Sequence, residues 1–258
     1  MSGLPNKILI TGASSGIGAE LATQYAAEGI TLYLTARNEK RLKEVKKACT
    51  EKNAKVHIKI LDIKDKAELT KWISSIDELD LVIANAGISA GTGGGGESVE
   101  QVENIFITNI DGVIHTIHPA IDIMKKQKSG QIAIISSLAG YRGLPSSPAY
   151  SASKAAVRVY GEALRGTLQK DGIKLSVITP GYIKTPMTDV NDFPMPFLMN
   201  VEKAASIIIK RLKKNPARIA FPFPLYFVIW LVSCLPPFIT DPIFARLPEK
   251  PSQKPSCD

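Results

Sequence analysis

Apolar, β-branched runs recur along this chain, and a segment of helical periodicity follows each of them. The runs are KILIT (7–11), ITLYLTA (30–36), KVHIKILD (55–62), LDLVIAN (79–85), QIAIISS (131–137) and KLSVITP (174–180). The helical patterns between and after them cover roughly 17–28, 39–52, 66–77, 99–127, 150–170 and 201–214. Near-continuous apolar strands alternating with amphipathic helices predict a parallel sheet covered on both faces, an α/β fold. RIAFP (218–222) is a candidate seventh strand. Neither an internal repeat nor a linker divides this core. The one low-complexity stretch, SAGTGGGGES (89–98), follows the fourth strand. A loop there lies at the carboxyl edge of the sheet, where open α/β sheets bind ligands.

The first strand runs into TGASSGIG (11–18), which opens the first helix. Gly12, Gly16 and Gly18 permit a tight turn and a close approach of a pyrophosphate to the helix N-terminus, with Ser14, Ser15 and Ile17 completing the loop. The spacing G-x-x-x-G-x-G departs from the common dinucleotide fingerprint, and the strand–turn–helix setting is what gives it meaning. At the end of the second strand, where an acidic residue would bind the ribose 2′-hydroxyl of NAD, the chain carries Ala36 and then Arg37. An arginine suits a 2′-phosphate, so NADP(H) is favoured and NAD(H) is the alternative. Asp62, followed by Ile63, closes the third strand and is placed either to accept from the adenine amino group or to cap a turn.

Tyr150 and Lys154 lie four apart on a helix, on one face, with Ser137 thirteen residues upstream. A phenol of pKa about 10 and an amine of about 10.4 exchange protons poorly at neutral pH. An ammonium beside the phenol favours the phenolate and draws its pKa downward. That pairing suits protonation of a carbonyl oxygen while hydride arrives at its carbon. A net charge of +8 is spread among interleaved acidic residues, and aromatics are 7% of the chain, so a nucleic-acid partner is not expected. Cys49, Cys234 and Cys257 are too few and too scattered for a disulfide framework or a zinc site. With no signal-peptide pattern, a cytoplasmic setting is expected.

These residues together resemble the short-chain dehydrogenase/reductases. The resemblance covers about residues 5 to 222 and rests on TGASSGIG (11–18), ANAG (84–87), Asn109 in FITNIDG, Ser137 in IISSLAG, YSASK (150–154) and PGYIKT (180–185). The family usually has NNAG where this chain has Ala84-Asn85-Ala86-Gly87. The resemblance implies a Rossmann-type doubly wound sheet of about seven parallel strands in a single catalytic domain, residues 1–222. It implies Tyr150 as acid/base, and Lys154 lowering its pKa and holding the nicotinamide ribose. Ser137 would stabilise the substrate oxygen, and Asn109 would hold a water of the proton relay. Asn85, Ala86 and Gly87 would line the adenosine side, and Pro180, Gly181, Ile183 and Thr185 would flank the nicotinamide. It also implies a homodimer or homotetramer paired through the helices at 99–127 and 150–170.

Residues 186–200 correspond to the family's substrate flap. Met187, Phe193, Met195 and Phe197 make it apolar, which suits either a lipophilic substrate or packing onto the core. Tyr141, Leu144 and Tyr182 are candidates to complete the substrate pocket with Ser137 and Met187; Arg142 and Lys184 are the basic residues expected nearby. Residues 223–247 form an apolar extension. Its uninterrupted part, Leu225 to Leu235, is shorter than the roughly 20 residues a membrane span needs. It reads as an arm packed on a partner subunit or over the pocket, or as a peripheral membrane contact with cationic flanks. Residues 248–258, Pro-rich and polar, are expected to be disordered. The expected function is NADP(H)-dependent interconversion of a lipophilic carbonyl compound and its alcohol. The alternatives are a 3-oxoacyl reductase of lipid metabolism and a catalytically silent dinucleotide-binding regulator.

Overall fold

The computed structural model describes residues 5–246 and 248–252; the Cys257 thiol and the rest of 253–258 lie outside the described residues. Seven parallel strands form one sheet: β1 (Lys7–Thr11), β2 (Thr31–Ala36), β3 (Lys55–Ile60), β4 (Leu81–Ala84), β5 (Gly130–Ile135), β6 (Ile173–Pro180) and β7 (Arg218–Phe221). Their spatial order is β3-β2-β1-β4-β5-β6-β7, the Rossmann-like α/β arrangement with its reversal between β1 and β4. The candidate strand at 218–222 is thus β7, paired in parallel with β6.

Strand side chains alternate between two cores. Ile8, Ile10, Leu81, Ile83 and Ile178 face α1 (Gly16–Tyr25), α2 (Glu39–Thr50) and α7 (Val201–Leu212). Leu9, Val82, Ile132, Ile134 and Val177 face α3 (Lys66–Ser74), α5 (Gly112–Gln127) and α6 (Pro148–Leu168). Burial on both faces is why the strands read as continuous apolar runs. Local chemistry sets the helix starts: Asn38 and Asp65 cap α2 and α3 by accepting from Arg41 N and Glu68 N, and Pro148 occupies the first turn of α6.

The pattern at 99–127 is not one regular helix. α4 (Val99–Phe106), capped by Ser98, passes through a π-helical turn at Ile107–Asp111 before α5 begins. The extra residue per turn rotates Asn109 inward, where its side chain finds partners that an α-helical register would deny it.

The apolar extension folds as α8 (Phe223–Ser233) and α9 (Pro237–Phe244). Pro224 and Pro237 occupy first turns, where a missing N–H costs nothing, so they start helices as well as limiting them. Tyr226 on α8 meets Tyr141 edge to face at 5.6 Å, and Arg142 ties α9 down through Thr240 and Asp241. Of the tail 248–258, whose composition predicts disorder, the described residues Pro248–Ser252 lie along the loop after β4. Gly91 N donates to Pro251 O at 2.9 Å and Gly93 N to Lys250 O at 3.0 Å. Backbone pairing with the glycine-rich stretch orders a segment whose own composition would leave it loose.

Candidate active site

The site occupies a cleft of about 1040 Å³ at the carboxyl ends of the strands, over the reversal between β1 and β4. Its near wall is the loop after β1, held by β4. Asn85 Nδ2 donates to Thr11 O and Gly12 O at 3.0 and 3.2 Å, and the Thr11 hydroxyl accepts from the backbone of Asn85 and Ala86. Gly12 has φ +66°, and a Cβ there would lie 2.7 Å from Ala86 Cα. A Cβ on Gly18 would collide with Gly12 O. Two close approaches therefore demand glycine, and together they leave the α1 N-terminus open to the cleft. Ser15 caps α1 without a side-chain hydrogen bond, so the N–H groups of the first turn remain available to an anion. Gly12, Ser14, Ser15, Gly16 and Ile17 all line the cleft.

At the far end lie Arg37, Asp62 and Ile63, joined by Asn38, Lys40, Arg41 and Lys64, which sequence reasoning did not single out. Arg41 lies four residues after Arg37, in the first turn of α2, and that proximity in sequence was the available signal. Asp62 sits between two cations, 3.9 Å from Arg37 Nη1 and 3.6 Å from Lys64 Nζ, and its Oδ1 accepts from Lys64 N. The Arg37 side chain is 64% exposed, so this pair leaves the guanidinium free to turn toward a ligand. Asn85, Ala86, Gly87, Pro180, Gly181, Ile183 and Thr185 line the middle of the cleft. An open α1 N-terminus, a glycine cradle without room for side chains and a cationic far end fit a nicotinamide dinucleotide.

Ser137, Tyr150 and Lys154 converge on one wall. Ser137 caps the short turn after β5, its Oγ accepting from Ala139 N at 3.1 Å, and it faces the cleft. Its neighbour Ser136 is committed elsewhere, donating to Lys154 O at 2.7 Å. Lys154 is buried; its ammonium donates to Ile135 O at 3.0 Å and lies 5.8 Å from the Tyr150 ring centre. Burial lowers its pKa from 10.5 to about 8. The Tyr150 phenol is pushed upward by its own burial, with a hydrogen bond from Ser137 opposing. The sequence led to the opposite expectation, that Lys154 draws the phenol down. The difference is geometric: in the cleft as it stands the ammonium addresses a carbonyl and the ring face, and desolvation dominates the hydroxyl.

Asn109 stands behind this wall rather than on it. Its Nδ2 donates to Ile88 O at 2.9 Å and to Ser153 Oγ at 3.0 Å, and its Oδ1 accepts from Ile88 N at 2.8 Å. It thereby locks the loop following β4 to α6. Of the substrate-pocket candidates, Ser137 and Met187 line the cleft. Tyr141 instead lies under the guanidinium of Arg158 at 4.6 Å, and Tyr182 packs edge-on against Phe193 at 6.3 Å. Leu144 is turned to a structural contact, its N–H donating to the Ser151 hydroxyl at 3.2 Å.

The profile of the short chain dehydrogenases matches residues 6–193. A Myxococcus xanthus protein described as an uncharacterized oxidoreductase is 34% identical over 243 residues, 93% of this chain and 96% of its own. A Mycobacterium tuberculosis protein of like description is 34% identical over 247 residues, 91% of this chain and 95% of its own. The solved short-chain dehydrogenase of Sphingobium yanoikuyae in complex with NADPH superposes with TM-score 0.80 at 21% identity, covering 97% of this chain and 98% of that one. This chain belongs to the short-chain dehydrogenase/reductase family. It is an oxidoreductase of the CH–OH/C=O class that uses NAD(P).

The buried Lys154 has a consequence for the cofactor-free protein. The unfolded chain holds this proton up to pH 10.5, the folded chain only to about 8. Between those values the unfolded state binds more protons, so stability rises with pH. Urea unfolding should show the stability of wild type relative to Lys154→Met climbing from about pH 8 upward. A difference independent of pH would mean the ammonium keeps its ordinary value.

Proposed function

We propose that the protein is an NADP(H)-dependent reductase of a lipophilic carbonyl compound. The observation that carries this reading is the convergence of Ser137, Tyr150 and Lys154 on one wall of a cleft whose other end is cationic. When bound, the nicotinamide supplies the hydride. Tyr150 donates a proton to the carbonyl oxygen, and the Ser137 hydroxyl donates a hydrogen bond to that oxygen as negative charge develops. Lys154, protonated, holds the cofactor ribose and favours the phenolate. Leaving Ile135 O for a position nearer the phenol oxygen is what that role requires of it. Asn109 fixes Ile88 and Ser153 and so keeps α6 in register with the cleft, the position from which a relay water would be held.

Arg37, Lys40, Arg41 and Lys64 together support a 2′-phosphate. NADPH in the Sphingobium yanoikuyae structure and NAD in that of a Mycobacterium paratuberculosis relative leave both cofactors compatible with this fold. The apolar side of the cleft, Ile88, Pro186 and Met187, suits a lipophilic substrate. A 3-oxoacyl substrate on a carrier protein would call for a basic docking patch beside the cleft. The basic groove of Lys210, Arg211, Lys214 and Arg218 lies instead at the amino end of β7, across the sheet from it. A silent regulator would have no use for a complete Ser137–Tyr150–Lys154 set.

The family's habit of assembly makes a homodimer or homotetramer our reading of the working state. Among the described residues no helix is long and apolar enough to cross a membrane. Yet Phe223, Phe227, Trp230, Leu231, Phe238 and Ile239 are exposed on α8 and α9. Such a patch on a chain of net charge +8 fits peripheral contact with an anionic bilayer, with a partner subunit as the competing occupant.

Three experiments test these readings. Tyr150→Phe should reduce carbonyl-dependent NADPH oxidation by about 10²-fold or more while NADPH still binds; retained turnover would remove Tyr150 from its role. Arg37→Asp should move the preference toward NADH, measured as the ratio of kcat/KM for the two cofactors, and an unchanged ratio would place the 2′-phosphate elsewhere. Wild type should co-sediment with anionic but not zwitterionic vesicles, and Trp230→Glu should abolish this. A change of molecular mass in that variant without any vesicle binding would assign the patch to subunit pairing.

A further inference from the structure

The Tyr150 ring carries a second lysine. Lys250, a hundred residues further along the chain, places its Nζ 5.3 Å from the ring centre, within cation–π range, while Lys154 approaches at 5.8 Å. Its ammonium donates to the Ser89 hydroxyl, next to the cleft-lining Ile88. It is largely buried, and loss of water lowers its pKa from 10.5 to about 8. Among the described residues it forms no ion pair, and Ser89 is its one hydrogen-bond partner.

This placement is built into two distant parts of the sequence. A Cβ on Gly91 would collide with Lys250 O, and one on Gly94, where φ is +78°, would lie 2.7 Å from Glu249 Oε2. Gly93, at φ +56°, would bring a Cβ within 3.0 Å of Ser252 Oγ. The run of glycines after β4 is therefore the bed on which Pro248–Ser252 lies, and side chains there would push the segment off. Backbone bonds from Gly91 and Gly93 fix its register, so that Lys250 and no neighbour points at Tyr150.

A buried ammonium without a counter-charge is costly unless something on the working pathway balances it. The geometry points to Pro248–Ser252 as a wall of the substrate site, with the Lys250 ammonium and Ser89 hydroxyl holding a carboxylate carried by the carbonyl substrate. One ammonium and one hydroxyl match a singly charged carboxylate; a phosphate would leave further oxygens unmatched. Because the ammonium lies against the ring of the residue that protonates the carbonyl, the carboxylate is only a few bonds from that carbonyl. The substrate class is then a short-spaced oxo acid whose remaining chain is apolar. This inference rests on the carbonyl-reductase reading for its chemistry, and on the geometry around Lys250 for its specificity.

The test compares oxo acids with their methyl esters as substrates, read as the ratio of kcat/KM for acid over ester with NADPH. Wild type should favour the acid, and Lys250→Met should lower the ratio by about tenfold or more. Lys250→Arg should retain most of the preference. Gly91→Val, which leaves Lys250 in the chain but evicts its segment, should lose it. A ratio unchanged in Lys250→Met, whether both rates rise because a block is removed or both fall, would overturn the assignment. Hexanoate and methyl hexanoate provide a readout without turnover, as the rise in Tm of the NADP-loaded protein. Protection by the acid in wild type and not in Lys250→Met would support the site even if no carbonyl is reduced, in which case the reductase reading alone fails. Equal protection of both proteins, or of neither, would sink the carboxylate site.

Discussion

The reversal of strand order between β1 and β4 is the constraint on which the rest depends. Chain connections leave these two strands in opposite directions, so nothing covers their carboxyl ends and a cleft opens there. The same place must be held shut at the backbone level, or the sheet would splay. Asn85 does this by donating to two carbonyls of the β1 loop while Thr11 accepts two N–H groups in return. Gly12 and Gly18 make the contact short enough for those bonds to form. A wall of the cleft and a structural clasp are thus built from the same few residues.

Behind the cleft lies a polar layer that an apolar core would not ordinarily tolerate. Asn109, Ser136, Ser153 and Lys154 are all buried, and each hydrogen-bonds to a backbone group or to another of the four. Such a layer is favourable only if satisfied throughout, which ties the loops after β4 and β5 to α6 in a single register. Ser137, Tyr150 and Lys154 come from two elements yet share one wall for that reason. Two ammonium groups against one phenol ring, both depressed by burial, give this wall an electrostatic character that depends on what fills the cleft.

The C-terminal segments add a second layer over this frame. α8 leans on Tyr141 and α9 is pinned by Arg142, which takes both side chains away from the pocket that the sequence suggested for Tyr141. The surface left exposed on α8 and α9 is apolar, and beyond α9 the chain returns to the glycine-rich loop after β4.

Much of this was legible in the chain. The alternation of β-branched runs with amphipathic segments determines a parallel sheet with two covered faces, because burial on both sides leaves a period-free apolar signature. TGASSGIG marks one end of the cleft, Arg37 the other, and the spacing of Ser137, Tyr150 and Lys154 one of its walls, since each signal is local to one turn or one helix face. Tertiary structure alone decided the π turn at Asn109, which answers to partners on Ile88 and Ser153 far away in sequence. It alone decided the upward pull on the Tyr150 phenol, because desolvation depends on what packs around a group and not on its neighbours in the chain. And it alone brought Lys250 to the Tyr150 ring: a Pro-rich polar tail carries no periodicity of its own, and its order is borrowed, through backbone bonds, from glycines some 160 residues earlier.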